Sequence, residues 1–229
     1  MDRRANRRAV LTEAHNLSRI GWLSEQPQAF RERLAEISHW RRFAKGESFY
    51  EVGDPPNGVF GLELGRVEVS LPISDDEMVA VHRAGPGLWF GEAAIISDNA
   101  RGVSVHAQEE CLALFAPADR VRRLIADHPE DMILFAKLSF ATVMLAIRVL
   151  SETIALPPRA RFARHLLRQA EPDGSVRATQ TELAGLGGMS RSSFRRALAE
   201  LISTGVLRMQ YGAVRILDRA ALERVAEDR

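Results

Sequence analysis

Residues 179–202, TQTELAGLGGMSRSSFRRALAELI, read as two short helices folded about a tight turn. Thr179 followed three residues later by Glu182 is a capping box: the hydroxyl takes an orphan amide and the carboxylate reaches back, so a helix is expected to start there. Gly187 and Gly188 end it, and Ser190 suits the N-cap of a second helix. In that second helix Phe194, Leu198 and Leu201 recur at spacings of four and three and are expected to face inward. Ser192, Arg196 and Ala199 then take the outer face, flanked by Arg191 and Arg195. A guanidinium can make two hydrogen bonds to guanine O6 and N7 or clamp a phosphate. The residue types and their placement therefore match the second helix of a helix-turn-helix lying in a DNA major groove. The competing reading is an ordinary solvated helix hairpin.

The flanking segments extend this unit. Val206 to Met209 and Ala213 to Leu217 surround Tyr211-Gly212 as the two strands of a hairpin wing, with Arg208 and Arg215 alternating with apolar neighbours so that they can face a DNA backbone. Upstream, Pro158 opens a helix through Ala170 with Phe162, Leu166 and Leu167 inward, and Glu171-Pro172-Asp173-Gly174 is a turn. Leu156-Pro157-Pro158 terminates whatever precedes it, because proline lacks a donor and restricts the residue before it. What precedes it is a long helix from Pro129, where Ile133, Ala136, Phe140, Val143, Ile147, Leu150 and Ile154 alternate at threes and fours as in a coiled-coil seam. A second row, Leu134, Leu138 and Leu145, lies beside it. One row is expected to pack on the preceding domain and the other on a second copy of the chain, giving a parallel homodimer; the alternative buries both rows within one monomer.

Between Phe43 and Phe115 the texture is that of strands. SFYEV, GVFGLEL, RVEVSLP, MVAVHR and VSVHA are separated by turns at Gly46, Gly53-Asp54-Pro55, Gly65, Asp75-Asp76 and Gly85-Pro86-Gly87, which implies a small antiparallel barrel or sandwich. Leu34, Ile37 and Trp40 recur at threes and suggest one amphipathic helix from Phe30 to Trp40 covering it. The first residues, with Arg3, Arg4, Arg7 and Arg8, read as a frayed basic arm with no apolar core of a secretory signal behind it.

Composition sets further bounds. The chain has 229 residues, 46% hydrophobic and 27% charged, enough for two modest folded domains. One cysteine, Cys111, excludes an intrachain disulfide framework and any four-cysteine cluster, consistent with a reducing, cytoplasmic setting. No strictly apolar run of the long helix is longer than Val143 to Ile147, with Lys137 and Arg148 interrupting the wider stretch, so no membrane span is expected. Residues 155–229 hold 13 Lys+Arg against 8 Asp+Glu, a balance of +5 that leaves −4 for residues 1–154. The positive charge sits with the helix-turn-helix, where it would release counterions from phosphates.

The stretch FGEAAIISDNARGVSVHA, residues 90–107, is the candidate effector site. Glu92 and Arg101 are almost its only strong charges. Residues 93–96 can form one helical turn whose amides, including that of Ala93, point at an anion, while Gly91 lets the backbone approach and Arg101, followed by small Gly102, offers a guanidinium fork. A carboxylate beside such a phosphate site would accept from sugar hydroxyls. The competing reading is an internal Glu92–Arg101 ion pair with no ligand.

The order of strand domain, long helix and winged helix-turn-helix resembles the CRP/FNR family of bacterial transcription regulators from about Phe30 to Leu222. YEVGD, PGLWFGE and the ungapped Phe90 to Ala107 cassette are similar to that family's cyclic-nucleotide signature. The resemblance implies an α+β chain with an antiparallel β-roll and N-terminal arm over 1–128, a dimerisation helix over 129–156 and a winged helix-turn-helix over 157–229. It further implies that Gly91 and Glu92 hold a ribose 2′-hydroxyl, that Arg101 and the amides near Ala93 and Gly102 hold a cyclic phosphate, and that RNA polymerase is a partner. Three departures matter: Gly102 replaces a common serine or threonine, Ala146 and Ile147 replace hydroxyls that meet the base in cAMP-responsive relatives, and Ser192 replaces a glutamate of the recognition helix. Thr142, Ser139 or Ser151 are the remaining hydroxyls for a base, and the effector is expected to be cAMP, cGMP or another cyclic nucleotide. Thr179, Ser190, Arg191, Ser192, Arg195 and Arg196 are the expected DNA-contacting residues, on a two-fold symmetric double-stranded operator.

Other classes fit less well. A metal-dependent cupin enzyme needs clustered histidines, whereas His39, His82 and His106 sit singly on separate segments. A haem sensor of the same fold has no evident axial ligand, and one cysteine cannot hold an iron–sulfur cluster. A regulatory nucleotide-binding module of an enzyme complex leaves the arginine-faced helix unexplained. The expectation is a non-enzymatic, effector-gated, homodimeric DNA-binding regulator.

Overall fold

The computed structural model describes residues 16–74, 77–171, 173–177, 183, 190–210 and 212–228, and Arg191 by its backbone. The chain divides into two compact units, Met1–Val143 and Met144–Arg229, and a single helix runs through the division.

The first unit is built on two four-stranded antiparallel sheets. With β1 His39–Phe43, β2 Ser48–Tyr50, β3 Gly58–Leu64, β4 Val67–Ser74, β5 Glu77–Ala84, β6 Trp89–Phe90, β7 Ser104–Ala107 and β8 Cys111–Pro117, the sheet orders are β1-β8-β3-β6 and β2-β7-β4-β5. The expected α+β β-roll is therefore present. Strands β3 and β8 are buried on both faces, and their alternation divides the core in two. Phe60, Leu62, Ala113 and Phe115 point into the roll with Phe43, Phe49 and Phe90, while Val59, Leu114 and Ala116 point outward under helices. Trp89 lies against Gly61, where a Cβ would meet the indole at 2.5 Å, so any larger residue there would displace it.

Helix α1, Gln28–Ile37, is shorter than the Phe30 to Trp40 expected from periodicity. It stops because Ser38 turns extended and its hydroxyl donates to Leu34 O at 2.7 Å. Trp40 belongs instead to β1, opposite Leu114 of β8. The helical turn expected at residues 93–96 is present as α2, Glu92–Ser97, one residue longer at each end; α3, Ala118–Asp127, which buries Val121 and Leu124, was not anticipated. Residues 16–25 are fastened to the roll. The buried Glu63 carboxylate of β3 accepts from the amides of Asn16 (2.8 Å) and Leu17 (3.1 Å), and Trp22 packs edge-on against Phe30 and Trp89 while its Nε1 donates to Leu134 O at 3.1 Å. The lone thiol, Cys111, is buried in the roll, donates to Arg66 O at 3.3 Å and has its pKa pushed up by burial.

After a 3-10 turn at Pro129–Asp131, the long helix α4 runs from Met132 to Ala155. Asp131 is held by Arg33 of α1 at 2.7 Å. By length and composition alone this helix could cross a membrane, which the short uninterrupted apolar runs had argued against. What the first half does with its apolar side chains is visible: Phe135 and Leu138 are buried and Leu134 packs beside them in the outer core of the roll. The predicted seam is the other face. Ile133, Phe140, Val143, Ile147, Leu150 and Ile154 are exposed in the single chain, with Phe140 at 65%, Leu150 at 60% and Ile154 at 78%.

The second unit holds the end of α4, α5 Pro158–Gln169, β9 Ser175–Val176, α6 Arg191–Ser203, β10 Leu207–Gln210, β11 Ala213–Ile216 and α7 Arg219–Glu227. Its strands order as β10-β11-β9, so the wing gains a third strand that the sequence reading lacked. Phe162, Leu166, Leu183, Leu198, Leu201, Val214 and Leu222 form its core. Glu152, buried near the end of α4, is bound by Arg168 of α5 at 2.7 Å and approached by Arg164 at 3.5 Å; Arg164 Nε also donates to Ala226 O at 2.7 Å.

Candidate functional site

The cassette between β6 and β7 is assembled around one buried cation. Arg101 is only 3% exposed. Its backbone is pinned on both sides by the 51–54 turn, Arg101 N donating to Asp54 O and Gly53 N to Arg101 O, each at 2.8 Å. Its guanidinium lies 4.0 Å from the centroid of the buried Tyr50 ring, a favourable cation–π arrangement. Nη1 donates to Gly91 O (2.6 Å), and Nη2 to Asn57 Oδ1 (2.6 Å) and Gly58 O (2.7 Å), while Nε is buried without a partner. These partners are all neutral oxygens. Burial disfavours the charge of Arg101, and the more distant Glu92 and Asp54 offset only part of that cost.

Glu92, 4% exposed, opens α2. It does not hydrogen-bond to Arg101: its Oε1 accepts from the hydroxyl of Ser139 on α4 at 2.8 Å. Burial pushes its pKa up, with the Ser139 hydrogen bond the largest of the influences that hold it down. Gly91 before it has φ 97°, and a Cβ would come within 2.9 Å of both Arg101 Nη1 and Gly58 O. Only glycine fits that close left-handed approach.

The six expected effector residues are placed as follows. Gly91, Glu92 and Arg101 converge, Ala93 is exposed in the first turn of α2, and Gly102 is exposed with open space where its Cβ would be. Thr142 is exposed and its hydroxyl turns back to Leu138 O at 3.3 Å. Tyr50, Asn57 and Gly58 were not foreseen. Nothing local in VGDPPNG marks Asn57 as a partner of a residue 44 positions on, although YEVGD did mark the turn that grips Arg101. Among the described residues no group of three His, Cys, Asp or Glu converges as a metal site would require; His106 is paired with Glu51 at 2.9 Å.

In the second unit Ser190 caps α6, its hydroxyl accepting from Ser193 N at 3.2 Å as the sequence implied. Phe194, Leu198 and Leu201 are buried, with Phe194 edge-on to Phe162 at 5.2 Å, so Ser192, Arg195, Arg196 and Ala199 are left on the exposed side. Thr179, Glu182, Gly187 and Gly188 lie outside the described residues, as does the Arg191 side chain. On the wing, Arg208 and Arg215 are directly opposite each other across β10 and β11, and both are exposed. Like charges in that position repel. A phosphate between them would turn the repulsion into a clamp.

Comparison with known proteins matches the two units to two domain families. Residues 40–128 match the cyclic nucleotide-binding domain and residues 160–225 the Crp-like helix-turn-helix domain. The CRP-like cAMP-activated global transcriptional regulator of Mycobacterium tuberculosis is 27% identical over 193 residues, 80% of this chain and 86% of the relative. The cyclic AMP receptor protein of Thermus thermophilus is 29% identical over 201 residues, 83% of this chain and 90% of the relative. Both alignments thus run through the two domains in the same order. FixK2 from Bradyrhizobium japonicum shares the fold at a TM-score of 0.75, with 16% identity over 84% of this chain and 98% of that one. With the nucleotide-binding and helix-turn-helix families matched in sequence on one polypeptide, and with whole relatives aligned along most of their length, the chain belongs to the CRP/FNR family of DNA-binding transcription regulators.

Proposed function

We propose that this chain is a homodimeric transcription regulator whose affinity for operator DNA is set by a cyclic nucleotide held in the β-roll cassette, and that it has no catalytic activity of its own. The observation that carries the effector assignment is the state of Arg101. A buried guanidinium that meets only neutral oxygens, with Nε unpaired, is completed by an anion of phosphate size. Glu92 in the same cassette supplies the acceptor for a sugar hydroxyl, and the relatives that carry cAMP in their names support a purine nucleotide 3′,5′-cyclic phosphate. Gly91 holds the loop open to it, and the amides near Ala93 and Gly102 complete the phosphate site.

Dimerisation follows from α4. A single chain exposes six large apolar residues in one row along a continuous helix, and a second copy of that row covers them at about 25 cal/mol per Å² buried. The pair presents two arginine-faced α6 helices, about one helical turn of DNA apart, to a two-fold symmetric site. Ser192, Arg195 and Arg196 face the groove, Ser190 caps α6, and Arg208 and Arg215 grip the backbone. RNA polymerase is the partner through which such a complex acts on transcription, in the cytoplasm where the DNA lies. A nucleotide that binds the DNA-competent state more tightly is bound more tightly, by the same factor, when operator is present.

A second reading rests on the inward hydrogen bonds of Arg101 and the Glu92–Ser139 bond, which also suit a regulator working without an effector. Calorimetric titration with cAMP and cGMP separates the two. Binding to the wild type that is lost on Arg101→Leu supports the gated reading; no heat with either nucleotide, together with sequence-specific footprints on DNA, establishes the ungated one.

A further inference from the structure

Three hydroxyls on the long helix are candidates for contact with an effector, and they point in different directions. Thr142 Oγ1 donates to Leu138 O and Ser151 Oγ to Ile147 O (2.9 Å), each satisfying its hydroxyl on the backbone of its own helix. Ser139 alone of the three leaves the helix, and the group it reaches is the buried carboxylate of Glu92. That carboxylate is the proposed acceptor for a ribose hydroxyl, so α4 and a bound nucleotide address the same group.

We infer that Ser139 is the specificity-determining residue through which the long helix reads the sugar: its hydroxyl occupies Glu92 Oε1 in the ligand-free chain, and the 2′-hydroxyl of a bound cyclic nucleotide displaces it. This rests on the cassette being a cyclic-nucleotide site. Charge-assisted hydrogen bonds of this kind are short and strong, and the buried environment of Glu92 makes loss of its donor costly. A ligand with a free 2′-hydroxyl replaces the donor as it leaves. A 2′-deoxy ligand has nothing to replace it with and leaves Ser139 in place. The exchange therefore makes the sugar, rather than the base, the part of the nucleotide that is felt on α4. It also accounts for a site in which Ala146 and Ile147 offer no hydroxyl to a base.

The test uses the full chain and measures affinity for cAMP, cGMP and their 2′-deoxy forms in the wild type, Ser139→Ala and Ser139→Thr. Removing the competing donor is expected to tighten ribonucleotide binding about tenfold in Ser139→Ala, the worth of one hydrogen bond to a charged group. Binding of the 2′-deoxy form is expected to stay within about twofold, and Ser139→Thr, which keeps the donor, to retain the wild-type ratio of ribo to deoxy affinity. An equal change for both sugars, no change, or weaker ribonucleotide binding in Ser139→Ala overturns the inference while Arg101-dependent binding leaves the effector assignment standing. If no nucleotide binds any of the three proteins, both fall.

Discussion

Gly102 stands beside the candidate phosphate site where the family resemblance implies a hydroxyl, and nothing in the backbone demands glycine there. Its φ lies outside the left-handed region and its Cβ position is open. Gly102→Ser is therefore expected to leave stability within about 0.5 kcal/mol and to raise cyclic-nucleotide affinity roughly three- to tenfold, read by calorimetry. Glu92 supplies a pH-dependent counterpart. Because burial raises its pKa, the native state keeps this proton to a higher pH than the unfolded chain does, so its contribution to stability is fullest in acid and is lost as pH rises through the raised value. Glu92→Gln keeps an acceptor for Ser139 without a charge to bury. It should melt higher than the wild type near neutral pH, with the difference closing as pH falls into the ordinary carboxylate range, and it should bind nucleotide more weakly. Calorimetric melts at several pH values would show a constant difference if burial of the charge were not the cause. Gly91, Glu92 and Arg101 were legible in the sequence because their chemistry is packed into one short stretch. Tyr50 and Asn57 were not, since what ties them to Arg101 is sheet pairing and turn placement across more than 40 residues.

Among the secondary elements, those that could be read were the ones whose pattern is local. Strands β3, β4, β5 and β7 lie between glycine or acidic turns, and α6 has both its cap at Ser190 and its inward row. Trp40 was drawn into a helix because a three-residue recurrence carries no information about Ser38, whose hydroxyl closes the last turn of α1. β9 has two residues, too few for any alternation to register. The proline break between α4 and α5 was legible, but the ion pairing across it was not: Glu152 looks like one more surface charge until Arg168 and Arg164 are brought over it. Removing a partner from a buried pair costs most when the group left behind cannot reach water. Arg168→Ala, which leaves Glu152 buried with only the more distant Arg164, is thus expected to destabilise the protein by about 3 kcal/mol. Glu152→Ala, after which both arginines can extend to solvent, should cost less, and urea unfolding of the two variants gives the order. On the wing, Arg208→Ser relieves the repulsion by Arg215 and should stabilise by a few tenths of a kcal/mol. It should also weaken binding to every DNA sequence alike and lower the salt slope by about one.

For the whole molecule the pattern of widest reach is the seven-residue row of α4, expected from the sequence to be a dimer seam and exposed in the single chain apart from half-buried Ala136. Leu150→Glu places a charge within the proposed interface at a side chain that belongs to neither unit's core. Sedimentation is expected to show a folded monomer at micromolar concentration, with affinity for a symmetric operator falling well below that of the wild type; a dimer of unchanged affinity would mean the row is covered by something else. The fastening of residues 16–25 to the roll was invisible in advance because Glu63 sits in an otherwise apolar strand with no local partner. The single thiol has a practical corollary for the geometry proposed above. Cys111 is shielded from solvent and reluctant to ionise, so it will be silent toward maleimide and nitroxide reagents. One new cysteine at exposed Ala199 would then be the sole labelled position in each copy, and the interval between two spin labels, with and without nucleotide, becomes a direct ruler for the spacing of the reading helices.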